Sequence, residues 1–154
     1  MLSSSLLHLL HFLGIVVWVG GMFFAYVCLR PAAVAVLEPP LRLRLWQGVF
    51  ARFFPWVWVA IGLILASGLS LLMAMGGMAN VPRFVHVMLG IGLLMMAIFA
   101  HVFFAPYQAL KRGVAAEDWA AAGAALGRIR PLVGVNLGLG LLNIAVATVG
   151  ESLI

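Results

Sequence analysis

His8-Leu-Leu-His11-Phe-Leu-Gly14-Ile-Val-Val-Trp18-Val-Gly20-Gly21-Met22-Phe-Phe-Ala-Tyr26-Val-Cys28-Leu29-Arg30-Pro31 is the stretch from which the fold is read. A helix rises 1.5 Å per residue, so about 20 apolar residues cross the hydrocarbon of a bilayer. This stretch has that length. It shows no alternation of polar and apolar positions, which a membrane β-strand would require. It carries two imidazoles where hydrocarbon rarely accepts an ionisable group. It meets a cation and a proline at Arg30-Pro31, which reads as its end.

The rest of the chain repeats the pattern. Of 154 residues, 66% are hydrophobic and 8% are charged, against roughly a quarter charged in a soluble domain. Such a chain cannot cover a water-facing surface, so it is an integral membrane protein. Four spans are expected, at about 6–29, 53–75, 84–104 and 131–149. The fold class is all-α, a single membrane domain over 1–154 built as a four-helix bundle. The first span lacks a basic segment before it and a small-residue cleavage site after it, so it reads as a retained helix and not a signal peptide.

The connections carry the charge. Residues 30–52 hold Arg30, Arg42, Arg44 and Arg52, with Pro31, Pro39 and Pro40 as helix breakers. Residues 76–83 form a tight Gly76-Gly77 turn. Residues 105–130 hold Lys111, Arg112, Arg128 and Arg130, with an alanine-rich middle suited to a short surface helix. Eight of nine cations thus lie in the first and third connections. By the positive-inside rule these face the cytoplasm and both termini face outward, to the periplasm. The net charge of +5 is therefore read as topology and not as affinity for nucleic acid. A single cysteine, Cys28, excludes an internal disulfide or a cysteine-based zinc site.

With that topology His8, His11 and His86 share one depth, in the outer third of the membrane, and His101 lies near the opposite end of the third span. Ionisable groups inside spans point to function. Two ligands suit them. The first is haem b, held by His11 and His86 as axial ligands from facing helices, with His8 the alternative. Arg83, one turn outward of His86, would pair with propionates, and Gly14, Gly20, Gly21, Gly90 and Gly92 would admit the macrocycle. The second is Cu(I), which prefers soft donors. Met73, Met75, Met78 and Met88 lie near His8, His11 and His86 by depth. His101 serves either a second haem or a structural hydrogen bond. Asn136 and Asn143, seven residues apart on one helix face, serve either as bonds between helices or as neighbours of a ligand. The glycines of the fourth span offer a face for close helix contact, including with a second copy of the chain. No span contains a carboxylate, and no phosphate-binding or dinucleotide fingerprint appears.

His11-Phe-Leu-Gly14-Ile-Val-Val-Trp18-Val-Gly20-Gly21 resembles the H-x6-W-x-G-G opening of the CopD-like membrane proteins and the related HemJ-type protoporphyrinogen oxidases. Arg52-Phe-Phe-Pro55 followed by Ala66-Ser67-Gly68 resembles their second span. Phe84-Val-His86-Val resembles the start of the third, and Arg130-Pro-Leu-Val-Gly-Val-Asn136-Leu-Gly138 the fourth. The resemblance implies a multi-pass protein of a bacterial inner membrane. It places His11 and His86 on the family's histidine positions, and Trp18, Gly21 and Asn136 on its motif positions. CopD-like proteins handle copper; HemJ-type proteins bind haem b and oxidise protoporphyrinogen IX. The HemJ pattern has a lysine where this chain has Met88, which disfavours that oxidase activity. The resulting expectation is a small b-type haem protein transferring electrons, possible as a membrane oxidoreductase, with a quinol or redox protein as partner. Copper uptake or binding is the alternative.

Overall fold

The computed structural model describes residues 3–152, so the last residues at each end of the expected 1–154 domain lie outside the description. All regular structure among the described residues is helical. Helix α1 (Ser4–Phe23) continues through a π-helical turn, Phe24–Leu29, into α2 (Arg30–Val36). Helix α3 spans Pro39–Ala74, α4 Arg83–Phe104, α5 Pro106–Ala115 and α6 Trp119–Ser152. The continuous helical stretches Ser4–Val36, Pro39–Ala74, Arg83–Ala115 and Trp119–Gly150 are each long and apolar enough to cross a membrane. The protein is a four-span, all-α, multi-pass membrane protein.

Local chemistry sets the helix ends. Ser3 caps α1, its hydroxyl accepting from the Leu6 N–H at 3.3 Å. Helix α3 stops in a Schellman turn. The Gly77 N–H reaches back to the Leu72 carbonyl and the Gly76 N–H to the Met73 carbonyl, both at 3.0 Å. Gly76 takes the required left-handed backbone, φ +91. The same turn ends α5, where the Asp118 N–H bonds the Gly113 carbonyl at 2.9 Å and the Glu117 N–H the Val114 carbonyl at 3.2 Å. Here the left-handed position is Glu117, φ 53. Asp118 then caps α6, accepting from the Ala121 N–H at 3.0 Å.

Three expected boundaries are corrected. Pro31 does not end the first span, because the wider π turn before it takes up the clash a proline ring makes with the preceding turn. The second helix begins at Pro39 and not near residue 53, so Pro55 sits in its interior. The alanine-rich stretch after Trp119 is no separate surface helix but the start of α6, and Pro131 is also interior. Residues 39–52 stay helical despite their arginines because Leu43, Trp46 and Phe50 fall on one buried stripe that continues through Phe54 and Val57.

Helix α1 packs along α3, and α4 along α6, while α5 folds back onto α6. Small residues permit the close crossings. A Cβ at Gly14 would lie 2.7 Å from Ile64 Cγ1 and 3.0 Å from the Ala60 carbonyl oxygen. One at Gly113 would lie 2.8 Å from the Ala122 backbone nitrogen. The core between the pairs is aromatic. Phe54 stacks on Phe50 at 4.9 Å and meets the edges of Phe99 at 5.3 Å and Tyr107 at 4.8 Å. Four antiparallel spans leave two chemically different ends. One carries His8, His11, the Gly76-Gly77 turn and His86. The other carries Arg30, Arg42, Arg44, Lys111, Arg112, Arg128 and Arg130.

Candidate metal centre

His11 is the histidine that the fold holds in place. It lies at the α1–α3 crossing, half-buried, with Nδ1 3.0 Å from the Ser67 hydroxyl. Ser67 is itself buried, and its hydroxyl makes a short bond to the Leu63 carbonyl one turn back in α3. A carbonyl only accepts, so the single hydroxyl proton points at Leu63 and the Ser67 oxygen accepts from His11. This geometry favours the tautomer with the proton on Nδ1, which leaves Nε2 as the unprotonated donor atom. Outer partners of this kind orient metal-binding imidazoles and raise their basicity. Gly68 completes the seat, since a Cβ there would lie 3.1 Å from His11 Cε1.

The other histidines are placed differently. His8 is exposed one turn away, with Nδ1 2.8 Å from the Ser4 carbonyl of its own helix. His86 is exposed on α4, with Nδ1 3.3 Å from the Pro82 carbonyl. His101 is exposed near the far end of α4. Arg83 is exposed at the first position of α4. His11 thus turns to α3, while His86 bonds within its own helix. The two histidines stand on helices that pack mainly against different partners, α1 with α3 and α4 with α6, while α1 and α4 also meet where Trp18 lies against Phe99.

The family-motif positions serve the packing. Trp18 is buried, edge-on to Phe99 at 6.1 Å. The Phe53 ring lies against Gly21, in space a side chain would fill. Asn136 is buried and donates to the Met95 carbonyl at 3.3 Å, and Asn143 donates to the Met88 carbonyl at 3.2 Å, so both tie α6 to α4. The side-chain carbonyl of Asn136 has no hydrogen-bond partner and borders a cavity of about 30 Å³ among Trp18, Phe54 and Phe99.

These observations test the two cofactors. A second cavity, of about 50 Å³, opens at the arginine end. Neither approaches the several hundred Å³, roughly 300 or more, of a cofactor pocket, so the expected haem cleft between α1 and α4 finds no support. The donor set at the histidine end is softer. Met73, Met75 and Met78 are exposed around the Gly76-Gly77 turn, Met73 at 74%. Among the described residues no three of His, Cys, Asp and Glu gather as a metal cluster, so a hard-donor metal cage is not what this end offers. Imidazole with exposed thioethers is the donor chemistry of Cu(I).

The position that sequence reading passed over is Ser67. Its signal was present, since it is the hydroxyl in the small-residue step Ala66-Ser67-Gly68, but only the helix crossing sets it opposite His11.

The profile of the family described as copper resistance protein D, CopD, matches residues 47–149. That stretch covers α3 from Gln47, α4, α5 and nearly all of α6; α1, with His8 and His11, lies outside it. Comparison with curated proteins and with solved structures found no match. With two-thirds of its length in the match, the chain belongs to the CopD family.

Proposed function

We propose that this protein handles copper at the membrane, taking up Cu(I) as cargo at the histidine end of the bundle. The observation that carries the reading is the CopD match across α3 to α6. Supporting it, His11 offers a fixed, unprotonated Nε2 beside α3, and His8, Met73, Met75 and Met78 are exposed at the same end. His11 is the anchoring ligand, and the mobile thioethers pass the ion because their bonds to it are soft and exchangeable. The positive-inside rule sets the arginine end in the cytoplasm of a bacterial cell and the histidine end outward, so the site faces incoming metal.

The haem b reading, with electron transfer from a quinol or to a redox protein, requires His86 to face His11, whereas His11 pairs with Ser67 of α3 and His86 lies against the Pro82 carbonyl at the start of its own helix. Met88 in place of lysine weighs against protoporphyrinogen oxidation. A second copy of the chain placed against the exposed histidines would supply further ligands.

The test is metal content and colour on one sample. Purified protein incubated with Cu(I) under reducing conditions retains copper by mass spectrometry, and cells expressing it accumulate more copper than cells expressing His11→Ala. Unchanged accumulation together with no retained copper refutes the reading. A Soret band lost in both His11→Ala and His86→Ala restores haem.

A further inference from the structure

The arginine end holds a groove that copper handling leaves unexplained. Arg30 of α2, Arg42 of α3 and Arg130 of α6 line a cavity of about 50 Å³ whose floor is apolar, with Trp46 and Phe50 buried beneath it. Three arginines from three helices thus line one opening. The only ion pair among the described residues is Arg44 with Glu117, so no carboxylate neutralises any of the three. Tyr26 belongs to the same wall: the Arg30 guanidinium lies over its ring at 5.2 Å. Gly134 of α6 makes room for that ring, since a Cβ there would lie 3.1 Å from the Tyr26 hydroxyl. Arg42 also donates to the Leu37 carbonyl at 3.5 Å, a neutral partner that leaves its charge uncompensated, and guanidinium groups lining one groove without a paired carboxylate suit an anion.

Depth and lining identify which anion. At 1.5 Å per residue, Arg30 lies about 39 Å from the start of α1 and Arg130 about 33 Å from the end of α6. Those distances exceed the roughly 30 Å of hydrocarbon and fall in the headgroup layer, which extends to about 40–45 Å. An apolar floor at that depth suits an anion that carries acyl chains. We propose that this groove binds the phosphate headgroup of an anionic phospholipid, with Arg30, Arg42 and Arg130 as its charge partners. Basic pockets between helices at the cytoplasmic surface recognise phosphate headgroups in this way.

Native mass spectrometry of the purified full chain, titrated with phosphatidylglycerol or phosphatidylcholine, reads the site directly. The parent retains one phosphatidylglycerol at least about tenfold more tightly than phosphatidylcholine, and millimolar inorganic phosphate does not displace it. Each of Arg130→Gln and Arg42→Gln weakens phosphatidylglycerol by about fivefold, the effect of one cation at a lipid surface. Arg130 is exposed, so its substitution leaves folding intact, and Arg130→Lys retains most of the binding. Arg112→Gln and Arg128→Gln, exposed cations outside the groove, leave it unchanged. Equal binding of the two lipids overturns the proposal, as does equal weakening by the outside pair. Displacement by inorganic phosphate overturns the lipid assignment and makes the groove a free-phosphate site.

Discussion

Removing one hydroxyl separates a histidine that is merely present from one that is prepared. In Ser67→Ala, the Leu63 carbonyl keeps its helical donor, the backbone N–H of residue 67, so little is lost within α3. The His11 ring loses its hydroxyl partner at 3.0 Å and is left with its backbone contact to Ile64. Hydrogen bonds between membrane helices are worth about 0.6 kcal/mol on average and up to about 1.7. Burial of Ser67 places this one toward the upper value, about 1–1.7 kcal/mol. The larger consequence is for metal. Without Ser67 the ring is held less firmly and its tautomer is less well fixed, so Nε2 is expected to be protonated in part of the population. Loss of such a partner lowers metal affinity by roughly 10–100-fold. Competition with a chromogenic Cu(I) chelator in detergent measures the affinity, and circular dichroism during titration with sodium dodecyl sulfate measures the stability. Ser70→Ala is the control, because the Ser70 hydroxyl is exposed and bonds only the Ala66 carbonyl at 2.7 Å. A Ser67→Ala protein that is folded and binds Cu(I) within about twofold of the parent, while His11→Ala does not bind, refutes the tautomer argument.

Three substitutions test the packing by the same unfolding titration. Gly113→Ala forces a Cβ against the Ala122 backbone, and backbone cannot rotate away, so it destabilises by about 1–3 kcal/mol; Gly62→Ala, with open space at that position, serves as its neutral comparison. Glu117→Gly relieves a left-handed non-glycine residue at the end of α5, a gain of about 1 kcal/mol. That gain exceeds the loss of the Arg44–Glu117 ion pair, whose side chains are 51% and 67% exposed, because exposed pairs contribute little. Asn136→Leu removes a 3.3 Å bond to Met95 together with an unpartnered buried carbonyl. The two effects offset, and stability changes by less than about 1 kcal/mol.

Hydropathy made the four spans legible, because about 20 apolar residues have few other uses. It misplaced their ends at residues 30–52 and 105–130 for a definite reason. The arginines there lower the mean hydropathy of any window, while the helices continue on the strength of a narrow apolar stripe. Leu43, Trp46 and Phe50 carried that signal at three- and four-residue spacing. Composition and depth drew attention to His8, His11 and His86 together, and the family resemblance preferred His11 among them. Its partner was not legible, because depth gives a residue's level in the membrane but not its azimuth around the bundle. His11 and His86 share a level yet belong to different helix pairs, α1 with α3 and α4 with α6. Ser67 lies 56 residues from His11 in sequence, and only the crossing permitted by Gly14 and Gly68 brings them together.

X-ray absorption at the copper K-edge, on protein loaded with Cu(I), tests the central claim most directly. The account predicts a Cu(I) edge with one nitrogen shell at about 2.0 Å from His11 and sulfur scatterers from the exposed methionines. In His11→Ala the nitrogen shell is lost or the copper is absent, and in Ser67→Ala the loading falls at matched free copper. Copper bound with the same nitrogen shell in parent and His11→Ala protein contradicts the account, as does a parent protein that binds no copper.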